Sequence, residues 1–132
     1  MKMTFEDIEP LLDASERLVE AADTSFHRYL HDRIEWKDSL IGIKGPKGTG
    51  KTTLILQHIK EAFGTRSDKA VYLALDHLYF ASHDVLAVVD WLYANGYTHV
   101  FLDEVHHADK WQPLVKTIAD SYPKLKVVYS GS

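Results

Sequence analysis

Hydrophobic positions follow two different rhythms along the chain. Up to about residue 37, Phe5, Ile8, Leu12, Ser15, Val19 and Ala22 recur at three- and four-residue steps with charged residues between them. That spacing predicts an amphipathic helix. Pro10 falls inside the run and lacks the amide that a helix interior uses. A break is therefore expected there, with Pro10 opening a second helical piece. A further stretch sets Phe26, Tyr29, Leu30 and Ile34 on one face, with Thr24 or Ser25 as its N-cap. Packing against the rest of the protein accounts for these helices.

From residue 39 the rhythm changes to short apolar runs alternating with longer amphipathic ones. Leu40-Ile41-Gly42-Ile43, Ala70 to Ala74, Val100 to Leu102 and Lys126 to Tyr129 read as strands. Between them, Lys51 to Phe63 reads as a helix stopped by Gly64. A second helix carries Val85, Leu86, Val88, Val89 and Leu92, is capped by Ser82, and ends near Asn95-Gly96. A third runs from Trp111 to Tyr122, before Pro123. Strand and helix in alternation imply right-handed crossovers and a parallel sheet, an α/β fold of three layers. The expected division is an N-terminal helical segment over 1–37 and an α/β core over 38–132.

Composition narrows the class. With 132 residues, 45% hydrophobic and 26% charged, the chain can fill one core and is not of the disordered type. It has no cysteine, which removes disulfides, thiolate zinc sites and cysteine nucleophiles. No apolar run approaches the ~20 residues of a membrane span, and the acidic start is unlike a signal peptide, so a cytoplasmic location is expected. The net charge of −4 does not favour a nucleic-acid or anionic-membrane surface. Of eight histidines, His27 and His31 alone share a helical i, i+4 face. The adjacent His106 and His107 are expected to point to different sides of the backbone. The histidines therefore read as solvated or half-buried rather than as metal ligands.

The chemistry gathers at the first strand-to-helix junction. Gly45-Pro46-Lys47-Gly48-Thr49-Gly50-Lys51-Thr52 matches G-x-x-x-x-G-K-[ST] at every fixed position. Such a loop wraps a polyphosphate with backbone N–H groups, and the next helix aims its positive end at the same phosphates. Gly45, Pro46, Lys47, Gly48, Thr49, Gly50, Lys51, Thr52 and Thr53 are the expected nucleotide-binding residues. Lys51 would reach the β- and γ-phosphates, in catalysis as in binding, and the Thr52 hydroxyl would ligate Mg²⁺. The second element is Val100-Phe101-Leu102-Asp103-Glu104, an apolar strand ending in two carboxylates. Parallel order brings that end to the edge holding the phosphate loop, where ligands of open α/β sheets bind. Asp103 would hold Mg²⁺ through a water, and Glu104 would polarise the attacking water.

Gly45 to Thr53, Asp103-Glu104 and the closing Tyr129-Ser130-Gly131-Ser132 resemble the ATPase domain of the AAA superfamily. The nearest likeness is to its prokaryotic branch, in which a separate C-terminal domain often follows the ATPase core. The resemblance spans roughly residues 38 to 132. It implies a P-loop core with strand order 5-1-4-3-2, ATP and Mg²⁺ as ligands, and hydrolysis as the reaction. It also implies Ser130 as the polar residue that senses the γ-phosphate. A fifth strand, a helical lid and a second arginine sensor, usual in the family, do not follow in this sequence. Arg17, Arg28, Arg33 and Arg66 all precede or separate the motifs, so none reads as an arginine finger. On this reading the chain is a piece of a larger ATPase, with weak or negligible turnover alone. Without a fifth strand, Leu40 to Ile43 should form a sheet edge, either open to self-association or covered by the helices around Phe26, Tyr29 and Leu30.

Two other readings share these motifs. Asp103-Glu104-Val105-His106 spells the D-E-x-H box of helicases, with Ser130-Gly131-Ser132 where a third helicase motif would stand. A second RecA-like domain, a glutamine motif and a basic track are not evident in this sequence. A nucleotide-gated binding module, sensing ATP without useful hydrolysis, is the second. Smaller candidates read as ordinary structure: Asp76 as the cap of the following turn, Trp36 as a packing residue rather than an adenine contact. Lys44 and Lys47 read as additions to the positive potential near the phosphates, Trp91 and Trp111 as helix packing.

Overall fold

Thr4 opens the first helix, α1 (Phe5–Ala21), with a reciprocal capping box. Its side chain accepts from the Asp7 amide, while the Asp7 carboxylate accepts from the Thr4 amide at 2.9 Å. Those hydrogen bonds hold the Asp7 carboxyl below its ordinary range. The computed structural model describes residues 2–25, 33–45 and 50–131. The expected break at Pro10 does not occur, and α1 runs through it unbroken. Pro10 is exposed, so the backbone bond its missing amide forfeits lies toward water. The opposite face buries Ile8, Leu11, Leu12, Ser15 and Val19, and that tertiary packing outweighs the lost bond.

Among the described residues four strands follow: β1 (Leu40–Lys44), β2 (Ala70–Ala74), β3 (His99–Asp103) and β4 (Lys126–Gly131). They form one parallel sheet in the order β1-β4-β3-β2, the expected order for the four strands the sequence predicts. Helices α2 (Lys51–Phe63), α3 (Val85–Ala94) and α4 (Trp111–Ser121) connect them, with short 3₁₀ turns at Leu78–Ala81 and Val105–His107. Strand alternation divides the core into two. Val71, Leu73, Val100, Leu102 and Val127 pack with α3, α4 and the first turns of α1. Ile43, Tyr72, Phe101 and Val128 face the other way, against Leu54, Ile55 and Ile59 of α2 and Val19 of α1. The result is a three-layer α/β architecture.

Several boundaries differ from the sequence reading for local reasons. Asp84, not Ser82, caps α3: its carboxylate accepts from the Ala87 amide at 3.3 Å. β4 continues through Ser130 and Gly131, pairing them with Ile43 and Lys44. Gly64, at φ 87°, ends α2 in a conformation that suits glycine. At the β2 edge, the Tyr72 amide donates to Ser15 Oγ at 3.0 Å, so α1 covers part of that edge. Among the described residues β1 pairs with β4 alone, and Leu40 is 44% exposed. The residues expected to cover that edge, Phe26, Tyr29 and Leu30, lie outside the described residues, as does most of the predicted helical stretch from Phe26 to Ile34. No helix among the described residues is long and apolar enough to cross a membrane.

His99 opens β3 against Phe63, with ring centroids 4.7 Å apart. Burial, aided by nearby Lys126, lowers its pKa from 6.5. The unfolded chain therefore binds this proton more readily than the folded one. The contribution to stability is complete above about pH 6.5 and is lost as pH falls through the folded value. Thermal melts of wild type and His99→Leu between about pH 8 and pH 5 should show a smaller acid-side loss in the variant. Parallel curves would remove His99 from this role.

Candidate functional site

Parallel strands bring the C-terminal ends of β1 and β3 to the same sheet edge, where α2 begins. Gly50 stands at φ 85°, ψ 20°, a left-handed conformation that costs glycine little, and turns the chain into α2. Lys51 is the first helical residue and only 8% exposed; its Nζ donates to the Gly45 carbonyl. No acidic residue occupies the first turn of α2, so its positive end is not neutralised by its own side chains. Thr53 lies exposed in that turn. Pro46, Lys47, Gly48 and Thr49 lie outside the described residues.

Asp103, 1% exposed at the end of β3, is the hub of the site. Its Oδ2 accepts from Thr52 Oγ1 at 2.5 Å and from the Tyr72 hydroxyl at 2.5 Å. Its Oδ1 accepts from the Glu104 amide at 3.0 Å and from the fully buried Ser130 hydroxyl. Sheet register explains the convergence. Tyr72, Phe101 and Val128 lie in one cross-strand row, and Ala74 and Asp103 in the next, toward the C-terminal edge. Ser130, two residues beyond Val128, shares its face. That face packs under α2, which supplies Thr52. Tyr72 is the member the sequence reading missed. Its signal was its place in β2, on the strand face that Asp103 shares. Burial, with the Asp103 carboxylate beside it, pushes the Tyr72 phenol far up, so it remains a protonated donor.

Glu104 adopts φ 56°, ψ 44°, left-handed for a residue with a Cβ. Such a conformation costs about 1 kcal/mol or more and persists only where its surroundings impose it. It turns the chain sharply into the 3₁₀ turn Val105–His107. The Glu104 carboxylate then meets His106 Nε2 at 3.2 Å and His107 Nε2 at 3.9 Å. This corrects the expectation that the two histidines diverge. In a 3₁₀ turn successive side chains are about 120° apart, not the near-180° of a strand. Their ring centroids stand 4.5 Å apart. Gly131 makes room for the arrangement, since a Cβ there would come within 3.1 Å of His106 Nδ1.

The remaining candidates fall on ordinary structure. Trp36 stacks on His58 at 3.8 Å and joins the cluster beneath α2. Asp76 is exposed and does not cap the turn after β2; His77 does, with Nδ1 accepting from the Tyr79 amide at 3.0 Å. Lys44 is exposed at the end of β1. Trp91 packs near Phe5 and Tyr97, and Trp111 near Tyr129.

Residues 37–132 match the family model described as "AAA domain". No curated protein compared with the chain matches it. Among solved structures, that of C. elegans PCH-2 resembles the chain with a TM-score of 0.46 and 18% sequence identity. The alignment covers 100% of this chain and 38% of PCH-2, so the chain spans well under half of that protein's length.

Proposed function

The chain belongs to the AAA domain family, and from that footing we propose that it is the ATP-binding core of an AAA-type ATPase with Mg²⁺-dependent hydrolysis. The observation that carries the reading is the 2.5 Å hydrogen bond between Thr52 and Asp103. It ties the end of the phosphate-loop motif to the carboxylate at the end of β3, two groups that the chemistry needs at one point. Gly45 through Thr53 form the nucleotide cradle, and Lys51 directs its charge to the β- and γ-phosphates. Thr52 and Asp103 offer two hard oxygen donors side by side, a set that suits Mg²⁺. When bound, Mg²⁺ neutralises phosphate charge. Tyr72 and Ser130 are positioning residues: both donate to Asp103 and hold its carboxylate toward Thr52. Ser130, so engaged, would transmit the state of the γ-phosphate through Asp103. Glu104 orients and deprotonates the attacking water.

Calorimetry on the chain tests the cradle. Lys51→Ala removes the cation at the start of α2, so affinity for Mg²⁺–ATP should fall at least about tenfold, roughly 1.4 kcal/mol. Lys51 also holds the Gly45 carbonyl. Lys51→Met, which keeps the stem without the charge, should lose as much and thereby separate charge from packing. Unchanged affinity in both variants would sink the assignment of the loop.

A further inference from the structure

Glu104, His106 and His107 bring one carboxylate oxygen and two imidazole nitrogens within 4.8 Å of one another. We propose that these three residues bind a transition-metal dication of the Zn²⁺ class, and that the bound ion withdraws Glu104 from catalysis. The second half rests on the function proposed above; the binding itself does not. Three features of the turn favour a metal over a simple ion pair.

The donor set is the first. Two imidazoles and a carboxylate suit Zn²⁺, Co²⁺ or Ni²⁺, whereas Mg²⁺ prefers oxygen alone. The site is therefore chemically distinct from the Thr52–Asp103 pair, whose Asp103 directly precedes Glu104 in the chain. The second is convergence: Glu104 Oε2 is 3.2 Å from His106 Nε2 and 3.9 Å from His107 Nε2, so both rings present the same nitrogen to the same oxygen. Bonds of about 2.0–2.1 Å in a tetrahedral site set ligand atoms about 3.3 Å apart, so the Glu104–His106 pair already has that spacing and His107 has only to close in slightly. The third is support from the backbone. The left-handed Glu104 and the bond from the His107 amide to the Glu104 carbonyl, 3.1 Å, close the turn. Gly131 in β4 leaves the space that the His106 ring occupies. Glu104 is half-buried while both histidines reach the surface, so coordination positions remain for water on the outer side.

Cobalt is the probe. Titrating Co²⁺ into the untagged, nucleotide-free chain should produce a saturable visible ligand-field band at one equivalent. His106→Ala/His107→Ala should weaken binding at least about tenfold, and His27→Ala/His31→Ala, which removes the other closely spaced pair, should leave it unchanged. Excess Mg²⁺ should not displace the probe, and Zn²⁺ should. Paramagnetic broadening of the His106 and His107 ring resonances in the wild type locates the ion without any variant, should the double variant misfold. A wild type without saturable binding overturns the proposal. So does a double variant that binds as tightly as the wild type, or broadening confined to other histidines. Calorimetry with Mg²⁺–ATP on the same preparation reports the nucleotide site separately, so either reading can fail while the other stands. In the complete protein, Zn²⁺ should then inhibit phosphate release, and the double variant should relieve that inhibition. Equal inhibition of both proteins would overturn the regulatory half.

Discussion

Glu104→Gln should lower steady-state phosphate release by the complete protein by about 10²–10⁴-fold while Mg²⁺–ATP still binds. The substitution keeps the size and the left-handed backbone of the residue and removes only its capacity to take a proton. Asp103, which faces Thr52, is untouched, and its hydrogen bond from the residue-104 amide survives because that bond is to the backbone. The expected pattern is a fall in turnover with affinity preserved. His106 and His107 approach the carboxylate, so the variant also loses that pairing, which borders the 3₁₀ turn. His106→Ala/His107→Ala controls for this: it removes the same pairing but keeps the base, and should retain turnover within a few-fold. Normal phosphate release by Glu104→Gln would remove Glu104 from the role of base. Complete loss of nucleotide binding would instead assign it to the fold of the site.

Much of the architecture was legible because its signals are local and redundant. The stop of α2 at Gly64, the alternation of strands with helices, and the left-handed Gly50 that leads into α2 all rest on residues whose backbone preferences agree with their setting. The failures share a cause in tertiary context. Pro10 breaks a helix only if its lost hydrogen bond is not outweighed, and the buried stripe from Ile8 to Val19 outweighs it. Ser82 and Asp84 are both competent caps, and the choice between them depends on where the 3₁₀ turn Leu78–Ala81 releases the chain. His106 and His107 diverge in a strand and converge in a turn. Deciding between these required the left-handed conformation of Glu104, which a non-glycine residue does not advertise. Tyr72 was invisible for a different reason. Its partner is 31 residues distant, and only the parallel register of β2 on β3 aligns them.

Asp103→Ala should destabilise the folded chain by about 2–4 kcal/mol in urea unfolding, besides removing the carboxylate proposed to face Mg²⁺. The size follows from the donors left behind. Tyr72 and Ser130 are both buried, and their hydroxyls give their hydrogen bonds to this one carboxylate. Each buried donor deprived of its acceptor costs about 1–3 kcal/mol. Thr52, at the edge of the site, can turn to water and adds less. A loss of this size is a large fraction of the ~5–15 kcal/mol that a domain possesses. The double variant Asp103→Ala/Tyr72→Phe separates the orphaned donor from the cavity, because it removes the stranded phenol along with its acceptor. It should be at least about 1 kcal/mol more stable than Asp103→Ala alone, although Tyr72→Phe in the wild type should be neutral or destabilising. That reversal of sign is the signature of a coupled pair. If Asp103→Ala unfolds within about 0.5 kcal/mol of wild type, the buried network is not what holds the ends of β2, β3 and β4 together, and the carboxylate serves the ligand alone.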